Sequence, residues 1–237
     1  MAVNKTYSHT PSNHVVQRWH VAGDFDALTD AVVTRLSQCA SEAIAERGVF
    51  SIVLAGGNTP QAIYRELSEL ATDWRAWFVY FGDERCLPIG DSERNDAMAQ
   101  RCWLDHVPIP RQQIFTIPAE LGAEAGASAY ANILAHVSAF DLVLLGLGED
   151  GHTASLFPGL PSSNQPAFAV HNAPKLPRDR ISMSAARLSH ARNVWFLASG
   201  EGKRVALKQL HDAEMIPAAM IKPMGGVDIF TDVDDVR

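Results

Sequence analysis

Cysteine is scarce in this chain and follows no pattern. Cys39, Cys86 and Cys102 form no CxxC pair and make an odd total of 3 in 237 residues. That excludes a disulfide framework or a zinc site and suits a reducing compartment. Positive charge is also short: 20 Lys+Arg stand against 27 Asp+Glu, net −7. The mean field therefore offers no affinity for nucleic acid or an anionic membrane surface. No apolar run nears the roughly 18–20 residues of a membrane span, and the opening residues lack the apolar core of a signal peptide. A cytoplasmic location is expected. Familiar catalytic signatures are missing as well. There is no GxxxxGK[ST] phosphate loop and no GxSxG nucleophile elbow, and GLGEDG (146–151) is not a GxGxxG that opens a helix. No His/Cys/Asp cluster has metal-ligand spacing, so no metal is expected.

What is present is ordinary globular material, 47% hydrophobic and 20% charged, which rules out a mostly disordered chain. Residues 1–14 are polar and are expected to be a flexible N-terminus. From Asp24, a plausible N-cap, apolar residues recur at helical spacing (Phe25, Leu28, Val32, Leu36, Ala40) until Gly48, a plausible stop. Short apolar runs then alternate with helical patterns. VFSIVLA (49–55), WFVYF (77–81), QIFTI (113–117), FDLVLLGLG (140–148), RISMS (180–184), NVWFLAS (193–199) and VDIFTD (227–232) read as strands. Helices are expected after Pro60, near Asn95–Leu104, over about 121–138 and from about Glu201. Continuous apolar strands separated by helices indicate an α/β fold, with a mostly parallel sheet covered by helices on both faces. No composition break divides the chain, so a single domain is expected. The proline-rich stretch Pro158–Pro177 reads as a functional loop.

Ligands of open parallel sheets bind beyond the carboxyl ends of the strands, and the polar loops of this chain fall there. Gly56-Gly57-Asn58-Thr59-Pro60 follows the first strand, bringing backbone amides and a helix start to one place. Thr59 fits a hydroxyl donor or N-cap, and Pro60 the first helical position. Gly82-Asp83-Glu84-Arg85 follows the second strand and reads either as a solvated turn or as part of a site, with Asn95 able to supply an amide. Asp150-Gly151-His152-Thr153-Ala154-Ser155 follows the most hydrophobic strand. His152 suits a general base near neutral pH, and a nearby carboxylate can orient its ring. Arg180 and Lys203 are candidate fixed cations for a phosphate. The other histidines read as surface or core residues.

In this order, LAGGNTPQAIYREL, FGDERCLP with Asn95, FDLVLLGLGEDGHTASLFPG, RISMS and SGEGKR resemble the 6-phosphogluconolactonases of the glucosamine-6-phosphate isomerase/deaminase superfamily, over about residues 15–235. GLGxDGHTASLFP is the most specific segment; GGxTP marks only the superfamily. The resemblance implies a Rossmann-like fold and cofactor-free hydrolysis of 6-phospho-D-glucono-1,5-lactone to 6-phosphogluconate in the oxidative pentose phosphate pathway. It implies His152 as general base, assisted by Asp150 or the adjacent Glu149, and Arg85 as a contact to the lactone or its developing oxyanion. It implies Gly57, Asn58, Thr59, Arg180 and Lys203 as the phosphate-binding set, with Asn95 as a further substrate contact, although the spacing here reads SERN. The implied partner is a small phosphosugar lactone, with no nucleic acid and no membrane, for a monomer or weak homo-oligomer. Two alternatives are an isomerase/deaminase and a non-catalytic phosphosugar sensor. The isomerase loop carries a glutamate that supports its histidine, and Phe157 occupies that position here. The sensors carry an added DNA-binding module that is not evident in this chain.

Overall fold

The computed structural model describes residues 5–10 and 15–236. The chain begins with strands β1 (Lys5–His9) and β2 (Gln17–Val21), helix α1 (Phe25–Arg47), β3 (Phe50–Leu54) and helix α2 (Asn58–Leu67). Next come β4 (Trp77–Phe81), β5 (Asp83–Arg85), α3 (Asn95–Ala99), β6 (Ile114–Phe115), α4 (Ala123–Leu134) and β7 (Phe140–Gly146). The last third holds β8 (Ala167–Val170), β9 (Arg180–Met183), α5 (Ala185–Ser189), β10 (Ala191–Ala198), α6 (Arg204–His211) and β11 (Val227–Thr231).

The main sheet has the order β1-β2-β11-β10-β7-β3-β4-β6. Its neighbours run parallel except the β1–β2 pair. From β3 the chain winds outward through β4 to β6; from β7 it winds the other way through β10 to β11. The direction of winding therefore reverses between β3 and β7, which opens a crevice beyond their carboxyl ends. Both faces of the sheet are covered, since every side chain of β7 from Phe140 to Leu145 is buried. Four tryptophans, Trp19, Trp77, Trp103 and Trp195, are at most 1% exposed and anchor the core by sheer area. Helix α1 is bounded as its sequence predicts. Asp24 accepts from Ala27 N at 2.8 Å, and Gly48 closes the end in the left-handed region at φ 74°.

A second sheet was not expected. β5, β9 and β8 form an antiparallel unit in the order β5-β9-β8. RISMS thus belongs to this small sheet and not to the parallel one, and part of the polar stretch after Gly82 is a strand. Ala167, Ile181 and Met183 join the main core, so the two sheets share one interior. Other elements also differ from the sequence reading. Within the stretch expected to be flexible, Lys5–His9 pairs with Gln17–Val21, backbone pairing that needs no apolar pattern. Residues 1–4 and 11–14 lie outside the described residues. The strand at QIFTI shrinks to Ile114–Phe115 and the helix over 121–138 to Ala123–Leu134. The helix from Glu201 opens with a 3-10 turn, Glu201–Lys203. The Pro158–Pro177 stretch contains β8. Thr59 does not cap α2 and Pro60 is not its first residue. Gly57 is the N-cap, at φ 106°, and Asn58 the first helical residue, with no side-chain cap.

Candidate active site

Two buried tyrosines finish the strands that feed the crevice. The Tyr64 hydroxyl on α2 accepts from Ala55 N and donates to Ala55 O, both at 2.9 Å. The Tyr130 hydroxyl on α4 does the same for Phe81 N and O, both at 3.0 Å. Each satisfies the last peptide where a strand stops pairing, so the chain can turn sharply without orphaned backbone groups. Burial pushes both phenols far up, which keeps them as neutral two-way partners. Directly beyond them lie the turns Gly56–Thr59 and Gly82–Arg85.

These turns border a cleft of about 400 Å³. After β7, the loop carrying His152 closes the same space. The His152 Nδ1 meets Asp150 Oδ1 in a short hydrogen bond, and Asp150 Oδ1 also accepts from His152 N at 3.3 Å. Burial raises the Asp150 pKa, but the hydrogen bond and charge attraction from His152 outweigh it and hold the carboxyl below its ordinary value. An ionised carboxylate only accepts, so in the neutral ring Nδ1 is the donor and Nε2 the acceptor. The imidazole also packs on the buried Phe157 ring at 4.7 Å between centroids. Gly148 is required beneath this pair, since a Cβ there would overlap both His152 Nδ1 and Asp150 Oδ1. Ala154 stands at φ 47° in the same loop, a left-handed conformation that costs energy in a non-glycine residue. The Glu149 carboxylate lies against Gly202 instead of the imidazole. Of the two adjacent acids, Asp150 is the one that orients the ring.

The opposite wall belongs to the small sheet. Arg85 and Arg180 are directly opposed residues of β5 and β9, a like-charge pair that is unfavourable unless an anion sits between or beside it. Arg180 is 6% exposed. Burial depresses its pKa, Asp83 opposes that effect, and Arg85 adds to it. Beneath them runs a polar network. Asp83 accepts from Ser155 Oγ at 2.6 Å and from Asn95 Nδ2 at 3.1 Å. The Glu84 carboxylate is fully buried and accepts from Arg85 N, Asn95 N and Asp96 N at 2.8–2.9 Å. Burial, set against those three donors, pushes its carboxyl up to about 7. Arg94, 1% exposed, is gripped by Asp96 at 2.7 Å and Glu120 at 3.1 Å. Gly56 leaves room for Asn95, whose Oδ1 would overlap a Cβ at that position.

This geometry can be set against known proteins. The family model described as glucosamine-6-phosphate isomerases/6-phosphogluconolactonase matches residues 23–230. The chain belongs to this family. It is 39% identical over 207 residues to the 6-phosphogluconolactonase of Synechocystis, covering 82% of this chain and 85% of that one. It is 38% identical over 216 residues to the 6-phosphogluconolactonase of Mycobacterium tuberculosis, with 83% and 87% covered. Its fold superposes on the 6-phosphogluconolactonase structure from Trypanosoma brucei with a TM-score of 0.80 at 27% identity, covering 90% of this chain and 95% of that one. For the Thermotoga maritima 6-phosphogluconolactonase the TM-score is 0.83 at 23% identity, covering 91% and 98%, a likeness of fold.

Within the family frame, the structure brings together nearly every residue singled out by sequence. Gly57, Asn58, Thr59, Arg85, Asn95, His152, Arg180 and Lys203 all line the cleft. Asp150 stands behind His152. Asn95 neither caps α3 nor hangs free: it is the first residue of that helix, and its amide is held by Asp83. The reading of Gly82–Arg85 as a solvated turn fails, because Asp83 and Glu84 are buried. Sequence reasoning missed Lys175, which lines the cleft, and Arg94, and it placed Ser155 in the loop without the supporting role it has beneath Asp83. Arg94 had one usable signal, its place among Glu93, Asn95 and Asp96 directly before a helix. Among the described residues no group of three or more His, Cys, Asp or Glu is placed to hold a metal ion. No helix among them is long and apolar enough to cross a membrane.

Proposed function

We propose that the cleft hydrolyses 6-phospho-D-glucono-1,5-lactone to 6-phosphogluconate, with His152 as general base. The observation that carries this reading is the His152 ring. Asp150 meets its Nδ1, which in the neutral ring leaves Nε2 as the acceptor, and Phe157, at the position of the isomerase glutamate by resemblance, packs on the imidazole. Nε2 takes a proton from a water as the water's oxygen attacks C1, and Asp150 stabilises the imidazolium that forms. Arg85, which lines the cleft, meets the charge that develops on the carbonyl oxygen in this reading. The tetrahedral species then expels the ring oxygen, which recovers the proton from His152 as the C1–O bond breaks. The new acid ionises and releases one proton. A lactone is an activated ester, so no covalent nucleophile is needed.

Binding falls to Gly57, Asn58 and Thr59 at the start of α2, with Arg180 and Lys203. They hold the phosphate far from C1 and convert its binding energy into placement of the carbonyl. The opposed Arg85 and Arg180 give an acidic chain a local cationic wall. Three free thiols accord with a cytoplasmic enzyme.

The test is proton release, read with a pH indicator, from lactone freshly made by glucose-6-phosphate dehydrogenase. Added protein should open the lactone far faster than buffer alone, and should release no ammonia from glucosamine 6-phosphate. Lactone opening at the spontaneous rate, or deamination at a comparable rate, would overturn the reading.

A further inference from the structure

One cation in the cleft has no role in the mechanism above. Lys175 lines the cleft, and its ammonium has neither an ion pair nor a hydrogen bond among the described residues. It lies in the strap 171–179 that joins β8 to β9. That strap is tied at several points. Ala173 N donates to Arg178 O at 3.0 Å, and His171 bridges Asp179 at 2.8 Å and Glu124 on α4 at 3.1 Å. At its centre the Arg180 guanidinium gathers the backbone. Nε donates to Pro177 O at 3.1 Å, and Nη2 donates to Lys175 O and Leu176 O, both at 3.2 Å. The Lys175 backbone therefore rests on Arg180. Arg180 Nη1 has no partner among the described residues, and the lysine's flexible stem and three donors reach any anion it meets.

We propose that Lys175 is a substrate-binding residue for the phosphate end of the lactone, presented by a strap that Arg180 folds. Arg180 then acts twice, as a phosphate contact through Nη1 and as a positioning residue through Nε and Nη2. The proposal rests on the lactonase reading for its substrate. A terminal phosphate monoester dianion is the chemistry recognised.

The experiment compares Lys175→Met and Lys175→Arg with the wild-type chain on 6-phosphogluconolactone and on unphosphorylated gluconolactone. Lys175→Met should lower the preference for the phosphorylated lactone about tenfold, as expected for one exposed charge-assisted contact, mostly through KM. Lys175→Arg should restore most of it. In an Arg180→Lys background, where the fork that folds the strap is lost, Lys175→Met should add less than about twofold, the mark of coupled residues. Calorimetric titration with inorganic phosphate gives a reading that needs no turnover, with the same weakening expected in Lys175→Met. An unchanged preference and unchanged phosphate affinity would overturn the proposal. Equal losses on both lactones would also overturn it, by placing Lys175 at the reacting end or in the fold. Wild-type protein that binds phosphate with this dependence on Lys175 but opens no lactone would defeat the proposed function alone.

Discussion

In the main sheet, β7 buries six consecutive side chains from Phe140 to Leu145, all apolar but Asp141. In the small sheet, β5 buries Asp83 and Glu84 and sets Arg85 opposite Arg180. The first strand is held by area removed from water, at about 25 cal/mol per Å². The second is held by hydrogen bonds, three of them to the Glu84 carboxylate alone. Apolar packing is tolerant of small changes, whereas a buried polar network left partly unsatisfied is costly. The proposed base, His152, thus stands at the end of the robust sheet and the opposed Arg85 and Arg180 on the exacting one.

The largest expected effect lies on the robust side. His152→Ala should lower kcat by roughly 10²–10⁴-fold, the usual worth of a positioned general base, with the melting temperature kept. Steady-state kinetics checks it, and a folded variant with near-normal turnover would remove His152 from the mechanism.

Glu84→Gln should act on the other sheet, and through stability. The amide turns an N–H toward a backbone N–H, at a cost of about 1–3 kcal/mol at neutral pH. Glu84 also imposes a pH dependence. Its folded pKa, about 7, exceeds the ordinary 4.5, so between those values the native chain keeps a proton that the unfolded chain has lost. The stability from that proton is present at low pH and lost as pH rises through about 7. Urea titrations across this range should show the fall in wild type and its absence in Glu84→Gln. Parallel slopes in the two proteins would show that Glu84 titrates normally.

The smallest effect separates the adjacent acids of the loop after β7. Glu149→Ala should change kcat/KM by no more than about twofold, as for a surface substitution, because its carboxylate faces Gly202 and not the imidazole. A loss as large as that of an Asp150→Asn variant would reverse their roles.

The same contrast explains what was legible in the sequence. β3, β4, β7, β10 and β11 are built on apolar runs with few polar interruptions, and each was readable from composition and spacing. The glycine and histidine loops were readable because they follow such runs, and the motif resemblance supplied residue roles. β5 and β8 were not, since a three-residue DER and a proline-flanked AFAV carry no periodic signal. Their pairing depends on distant groups, such as the Asn95 and Asp96 amides that hold Glu84. β1 escaped for a related reason: an edge strand needs only backbone partners, and KTYSH looks polar. Lys175 was invisible because its placement depends on Arg180 gathering three carbonyl oxygens, a contact that no spacing rule encodes.

The proposed roles of His152, at the end of β7, and Arg180, on β9, are tested most directly by one ratio, kcat/KM for 6-phosphogluconolactone over that for gluconolactone, in His152→Ala and in Arg180→Ala. His152→Ala should lose rate on both lactones alike and leave the ratio near its wild-type value. Arg180→Ala should lower the ratio roughly 10- to 150-fold, the worth of one charge-assisted hydrogen bond to phosphate. A ratio unchanged by Arg180→Ala, or one that collapses in His152→Ala, would contradict the assignment of the base to His152 and of a phosphate contact to Arg180.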